Sequence, residues 1–233
     1  MADPTPLASL SLTHVHYDPN DPISYICAFL ALVPQGLCVA YATLIWSTRE
    51  VEILLMFCGQ MACEAANFAL KRILKEERPK QMHGKGYGMP SSHAQFVAFF
   101  SVSLSLFLLL RHVPREKTAN YRPLYFVERL GLSMLALGCA GLVAWSRVYL
   151  SYHTPKQVLV GVVAGTVTAV CWFVIVAMVR RVGLLQFVLE LPLTRFFRVR
   201  DLVVEEDLSQ AGWEKWEARR LTSQSTVNGK KIR

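Results

Sequence analysis

Residues 71–110 read KRILKEERPKQMHGKGYGMPSSHAQFVAFFSVSLSLFLLL, a basic, proline-broken stretch that passes into an uncharged apolar run. That run, 94–110, is close to the length of about 18 residues at which an uncharged apolar segment spans a bilayer as a helix. Four further blocks share its character: 23–46, 51–70, 130–146 and 157–179. The 233-residue chain is 53% hydrophobic, with a mean hydropathy of +0.31. This is too apolar for a soluble domain of that length. The expected fold is an all-α membrane protein, a bundle of about five transmembrane helices.

Outside the blocks the chain is polar. Residues 1–22, with Pro4, Pro6, Pro19 and Pro22, read as an irregular polar lead. This lead has no Lys or Arg and no compact apolar core; no cleavable signal is visible, and the first span is expected to direct insertion itself. Pro34 should kink that span. Gly161 and Gly165 are spaced for close helix packing, although glycine is also simply frequent in membrane helices. Cys27, Cys38, Cys58, Cys63, Cys139 and Cys171 all fall inside apolar blocks without metal-type spacing, so they read as small core residues. Residues 183–199 suit an interfacial amphipathic segment interrupted by Pro192 and Arg195. A charged tail, 201–233, is expected to hold a short helix over 212–221. It ends Lys230-Lys231-Ile232-Arg233, similar to the dilysine signal that returns membrane proteins to the endoplasmic reticulum.

The net charge is +8 and the isoelectric point about 9.3. In a soluble protein that balance would point to nucleic acid; here topology accounts for it and no nucleic-acid partner is expected. With five spans, the N-terminus and the 71–93 and 147–156 loops share one face and carry eight of the 25 Lys and Arg residues, leaving 17 on the other. Positive charge marks the cytosolic side. The C-terminus is therefore expected in the cytosol and the two loops on the luminal side. Setting aside residues after 200 weakens this bias without reversing it.

Three strings carry the chemistry. Lys71 precedes Arg78-Pro79 by six intervening residues; Pro90-Ser91-Ser92-His93 opens the third span; Ser146-Arg147 closes the fourth and is followed after five residues by His153. Phosphoryl transfer needs positioning and neutralisation of charge on the transferred group. Lys71, Arg78 and Arg147 supply fixed cations, and Arg adds a bidentate fork. Ser92 and the backbone N–H groups that open a helix form an anion site. Two histidines add a nucleophile and an acid, so neither metal nor cofactor is required. Any one of these residues alone would serve as an interfacial anchor. The alternation of spans, however, puts all three strings on one face.

This arrangement resembles the type 2 phosphatidic acid phosphatase superfamily of lipid phosphatases and haloperoxidases, over about residues 12 to 201. The finer strings YGMPSSH (87–93), SRVYLSYHT (146–154) and FFRVRD (196–201) are similar to its dolichyldiphosphatase branch. The resemblance implies a metal-free phosphatase with His153 as nucleophile, through a phosphohistidine, and His93 as general acid. It implies Lys71, Arg78, Ser92 and Arg147 as phosphate ligands. Residues 1–22 would be the lead, 23–180 the transmembrane phosphatase domain, and 181–233 an interfacial segment and basic cytosolic tail.

Two positions depart from the superfamily pattern: Ser92 stands where Gly is usual, and Gln157 stands where an Asp normally orients the nucleophile. Gln accepts the same hydrogen bond without a charge. Glu64, an expensive carboxylate inside an apolar span, is the candidate substitute, with an ion pair to Lys71 or Arg147 as its other reading. Glu76 and Glu77 read as solvated loop charges. The implied substrate is dolichyl diphosphate in the bilayer, hydrolysed at the luminal face of the endoplasmic reticulum to recycle the carrier for protein N-glycosylation. Six basic residues over 71–85 fit a diphosphate. Another lipid phosphate as substrate, or a non-catalytic phospholipid-binding transporter or scaffold, are the alternatives; oligomeric state is not legible.

Overall fold

The computed structural model describes residues 8–10, 15–79, 86–112 and 126–231. Lys80 and Lys85 of the basic loop, and Ile232 and Arg233 of the dilysine-like ending, lie outside the described residues. The lead is less irregular than expected. Strands β1 (Ala8–Leu10) and β2 (Val15–Tyr17) form a short antiparallel ribbon with Ala8 opposite Tyr17. Its anchor is Val15, which packs with Ala28 and Ala31 beside Tyr17 and Tyr152. The His16 backbone N–H also donates to the Tyr152 hydroxyl at 2.8 Å.

Asp21 caps α1 (Pro22–Leu30) by accepting from the Ile23 N–H at 2.9 Å, with Pro22 in the first position. There proline's missing donor costs nothing. Pro34 does break the first span: α1 stops short of Ala31 and Leu32, and α2 (Val33–Thr48) starts with the proline in its first turn. Then follow α3 (Val51–Leu74), α4 (Ser92–Leu106) with a π-helical turn over Phe107–Arg111, α5 (Phe126–Tyr149) and α6 (Pro155–Arg181). With α1 and α2 taken as one span, five helices among the described residues are long and apolar enough to cross a membrane. Beyond them lie α7 (Leu184–Glu190), α8 (Pro192–Phe196) and α9 (Leu208–Lys231). The last is a 24-residue helix where a shorter one was expected; an Arg220–Glu217 pair one turn apart supports its polar face.

The buried helix is α4. Ala94, Gln95, Val97 and Phe99 are all enclosed by α3, α5 and α6. The outer helices turn large apolar side chains outward instead, Val127 being 74% and Phe68 63% exposed, as a surface solvated by lipid requires. Both expected glycines lie at the α4–α6 contact. A Cβ on Gly161 would sit 2.7 Å from the Ser91 carbonyl oxygen, and one on Gly165 2.3 Å from that of Gln95.

At the opposite end, charges are buried in pairs. Glu52, 2% exposed, accepts from both Arg111 and Arg180, and Arg180 reaches Asp201 at 2.5 Å. Glu50 accepts from Arg200 at 2.7 Å and from the Leu202 and Val203 N–H groups at 2.8 and 3.0 Å. These contacts tie α3, the end of α4, α6 and the chain after α8 into one frame.

Gly165→Val should force α6 off α4, costing about 1–3 kcal/mol by overpacking. Both thermal stability in detergent and activity should fall. Gly138→Val on α5, where a Cβ meets nothing within 4 Å, should leave both unchanged.

Candidate active site

One end of the bundle collects the functional side chains. Lys71 lies in the last turn of α3 and Arg78 on the loop after it; Ser92 and His93 open α4; Ser146 and Arg147 close α5; His153 immediately precedes α6. Two backbone bonds fix this end. The Ser91 N–H donates to the Gln157 carbonyl at 3.1 Å, and the Gly88 N–H to the Glu76 carbonyl at 2.7 Å.

The cations wait on an anion. Lys71 Nζ donates to Ser92 Oγ at 2.5 Å, and Ser92 Oγ donates to Asn67 Oδ1 at 3.0 Å. Asn67 Nδ2 donates to Gln95 Oε1 at 2.7 Å, and Gln95 Nε2 to the Cys63 carbonyl at 3.0 Å. This buried amide chain orients Ser92 and so absorbs the departure from Gly. Sequence reading missed Gln95, whose one signal is an amide in an apolar helix two residues after His93. Arg147, 2% exposed, meets only neutral oxygens, Ser146 Oγ at 3.3 Å and the Cys27 carbonyl at 3.2 Å, with Tyr152 under its guanidinium. Arg78 Nε is buried without a partner, as is Ser91 Oγ at the uncapped start of α4. Among the described residues, no carboxylate pairs with Lys71, Arg78 or Arg147. Partly or fully buried cations that form no ion pair with a carboxylate, together with free helix N–H groups, make this end a candidate anion cradle.

Helix α1 also serves the site, which sequence reading did not anticipate. The break at Pro34 turns the Ala31 N–H back to the Ala28 carbonyl, which frees the Cys27 carbonyl for Arg147. The Ala31 carbonyl lies 3.2 Å from His93 Nε2. A carbonyl only accepts, so Nε2 carries a proton and Nδ1 is the other working nitrogen.

His153, 6% exposed, has Nδ1 3.2 Å from Gln157 Oε1. Gln157 Nε2 donates to Glu76 Oε1 at 3.2 Å and to the Glu77 carbonyl at 2.8 Å. With both amide hydrogens spent on acceptors, the amide oxygen must face His153, so Nδ1 carries the proton and the Nε2 lone pair is free. Burial, followed by the charge of Arg78, lowers the His153 pKa to about 4, so the imidazole is neutral at physiological pH. Of the two orienting candidates, Gln157 therefore meets His153. Glu64 instead lines a cavity of about 410 Å³ with Ser92 and His93 between α2, α3 and α4. One of its oxygens is buried without a hydrogen-bond partner; Lys71 is near enough to act on it by charge, without a direct ion pair. Glu76 is not merely solvated, since it joins Gln157 to Lys156 at 2.8 Å. Among the described residues, no three His, Cys, Asp or Glu side chains cluster as a metal site requires.

A membrane helix bundle with an anion cradle and a free imidazole nitrogen at one end defines a class, that of integral-membrane phosphate-handling proteins. The family model for the PAP2 superfamily matches residues 49–181, and the chain belongs to that superfamily. A Neurospora crassa protein provisionally named as a dolichyldiphosphatase is 55% identical, covering 97% of this chain and 98% of its own length. "Dolichyldiphosphatase 1" of Dictyostelium discoideum is 35% identical over 88% of this chain and 87% of its own length. The human protein of the same name is 39% identical over 82% and 81%. These relatives are hydrolases by name. No solved structure matches the chain.

Two results are expected of this geometry. A Cβ on Gly88 would lie 2.9 Å from both heteroatoms of the Gln157 amide and 3.1 Å from Arg78 Cα. Gly88→Ala should thus displace Gln157 and lower kcat by about 10- to 100-fold while thermal stability holds. Because Arg78 disfavours the imidazolium, Arg78→Ala should raise the His153 pKa from about 4 towards the ordinary 6.5. The acid limb of kcat/KM, where neutral His153 is lost, should move to higher pH in that variant's residual activity.

Proposed function

We propose that the chain hydrolyses dolichyl diphosphate to dolichyl phosphate and inorganic phosphate, without a metal, through a phosphohistidine on His153. The observation that carries this reading is the convergence of three cations lacking carboxylate partners with two histidines at one end of an apolar bundle. The terminal phosphate sits among Lys71, Arg78, Arg147, Ser92 and the first N–H groups of α4. His153 Nε2 attacks phosphorus in line; the P–N bond forms as the bond to the bridging oxygen breaks, and dolichyl phosphate departs. His93 enters this step as the imidazolium, its Nε2–H held by the Ala31 carbonyl; it gives its Nδ1 proton to the leaving oxygen, and the neutral ring then takes a proton at Nδ1 from the water that cleaves the P–N bond. Binding energy from the cations and helix N–H groups is spent on charge that spreads over the equatorial oxygens.

Relatives named dolichyldiphosphatase at 32 to 40% identity over most of the chain support the diphosphate substrate. The division of eight and 17 basic residues between the two faces supports a luminal site and a cytosolic C-terminus. This would recycle the lipid carrier for N-glycosylation in the endoplasmic reticulum. The 1–22, 23–180 and 181–233 division follows from the same reading. A purely binding role drew its encouragement from Gln157, and that residue holds His153 in place.

The test is phosphate release in EDTA by purified protein from dolichyl diphosphate and, in parallel, from phosphatidic acid. Turnover of the diphosphate with little of the monoester is expected. His153→Ala should abolish both turnover and the labelled phosphoenzyme, a loss on the order of 10³-fold or more. His93→Ala should lose about 10²-fold. Preference for phosphatidic acid would move the substrate within the superfamily, and full activity in His153→Ala would end the catalytic reading.

A further inference from the structure

Position 157 lacks the carboxylate that would normally support a nucleophilic imidazole, and we propose that Glu76 supplies it at one remove, as a positioning residue acting on His153 through the Gln157 amide. The proposal rests on His153 being the nucleophile. Its basis is an unbroken hydrogen-bonded line: Glu76 Oε1 accepts from Gln157 Nε2 at 3.2 Å, and Gln157 Oε1 lies 3.2 Å from His153 Nδ1.

Three features make this line more than a loop contact. First, the amide cannot reverse. Its two hydrogens go to Glu76 and to the Glu77 carbonyl, and its oxygen also accepts from the Thr154 N–H at 3.3 Å within the capping box that opens α6. A reversed amide would aim N–H groups at two donors and its oxygen at two acceptors. Second, a carboxylate accepting from the amide nitrogen polarises the amide towards its oxygen. The atom facing Nδ1–H becomes a stronger acceptor. Third, the sign of the surroundings demands it. His153 feels Arg78 and Lys71 and stands before the positive end of α6. All of these oppose the positive charge that Nδ1–H acquires as Nε2 bonds phosphorus. Glu76 is the carboxylate connected to that ring. Bonds from Lys156 and then Gln157 hold its carboxyl below the usual range, so it is ionised at neutral pH.

The competing account is structural: Glu76 also pairs with Lys156 at 2.8 Å, and its carbonyl holds the Gly88 N–H. Kinetics separate the two. Purified full-length protein would be assayed with dolichyl diphosphate for kcat, KM and the rate of phosphoenzyme formation. Glu76→Ala should slow phosphoenzyme formation and kcat about tenfold with KM little changed, the size of effect typical of a supporting group behind a ligand or base. Glu76→Gln, which keeps the shape and an acceptor but no charge, should lie between wild type and Glu76→Ala. Glu76→Ala added to Gln157→Ala should cost nothing further, because both sever the same line. Glu76→Ala with Gln157→Asp should recover activity by bringing the carboxylate to His153 directly. Lys156→Ala should remain at wild-type rate.

Wild-type phosphoenzyme formation in Glu76→Ala, strictly additive losses in the double variant, or no recovery with Gln157→Asp would each overturn the proposal. If Glu76→Ala does not fold, Glu76→Gln decides: an unchanged rate overturns the proposal and a reduced rate at unchanged KM supports it. Turnover near the wild-type rate in His153→Ala would instead overturn the reading of His153 on which the proposal stands.

Discussion

The close approach of α4 and α6 is the constraint from which the site follows. Two glycines one turn apart, Gly161 and Gly165, let α6 lie against the Ser91 and Gln95 carbonyls, and the Ser91 N–H bonds the Gln157 carbonyl. In a lipid environment no hydrophobic driving force presses helices together, so contact area and backbone proximity must do it. Those contacts place Ser92 and His93 at the start of one helix beside His153 and Gln157 at the start of the other. The uncapped start of α4 and the start of α6, closed by its Thr154–Gln157 capping box, meet at one point, and their two dipoles produce a positive field before any Lys or Arg is counted. A residue with a side chain at either glycine would separate His93 from His153.

The far end of the bundle uses charge differently. Glu50 and Glu52 are almost wholly buried, yet each is fully engaged, Glu52 by Arg111 and Arg180 and Glu50 by Arg200 and two backbone N–H groups. Such pairs add little net stability relative to apolar packing, but losing one member leaves an unpaired buried charge at about 3–5 kcal/mol. They therefore specify which helices meet rather than how tightly. At the site the logic is inverted: among the described residues Lys71, Arg78 and Arg147 form no ion pair with a carboxylate, and Lys71 and Arg147 donate to neutral oxygens instead.

Much of this was legible in the sequence because lipid imposes a coarse rule. Five long apolar blocks read as five spans because a bilayer accepts little else, and the order of the three strings along alternating spans put them on one face. Pro34 and the glycine pair were readable because each acts through its own backbone. What was not readable depends on contacts distant in sequence. Gln157 reaches Glu76 across 81 positions, and nothing local distinguishes Glu76 from a solvated loop charge. Glu64 drew attention as a carboxylate in an apolar helix, but its helix face points it to the cavity beside His93. The carbonyls of Cys27 and Ala31 escaped notice because every residue has one; only the helix break makes these two available.

The loop after α3 links binding to alignment. Glu76 and the Glu77 carbonyl hold the Gln157 amide, while the next residue, Arg78, carries an unpartnered guanidinium nitrogen for phosphate. Two residues of chain span at most about 7 Å, so the segment that delivers the cation cannot shift without moving the support of the imidazole. Gly88 closes the arrangement from the other side, its Cα facing both the Gln157 amide and Arg78 with no room for a methyl group. A direct carboxylate on α6 would orient the nucleophile whether or not the loop were in place. Placing the charge on the loop instead ties the support of His153 to the position of Arg78, because Glu76, Glu77 and Arg78 are consecutive residues of one segment.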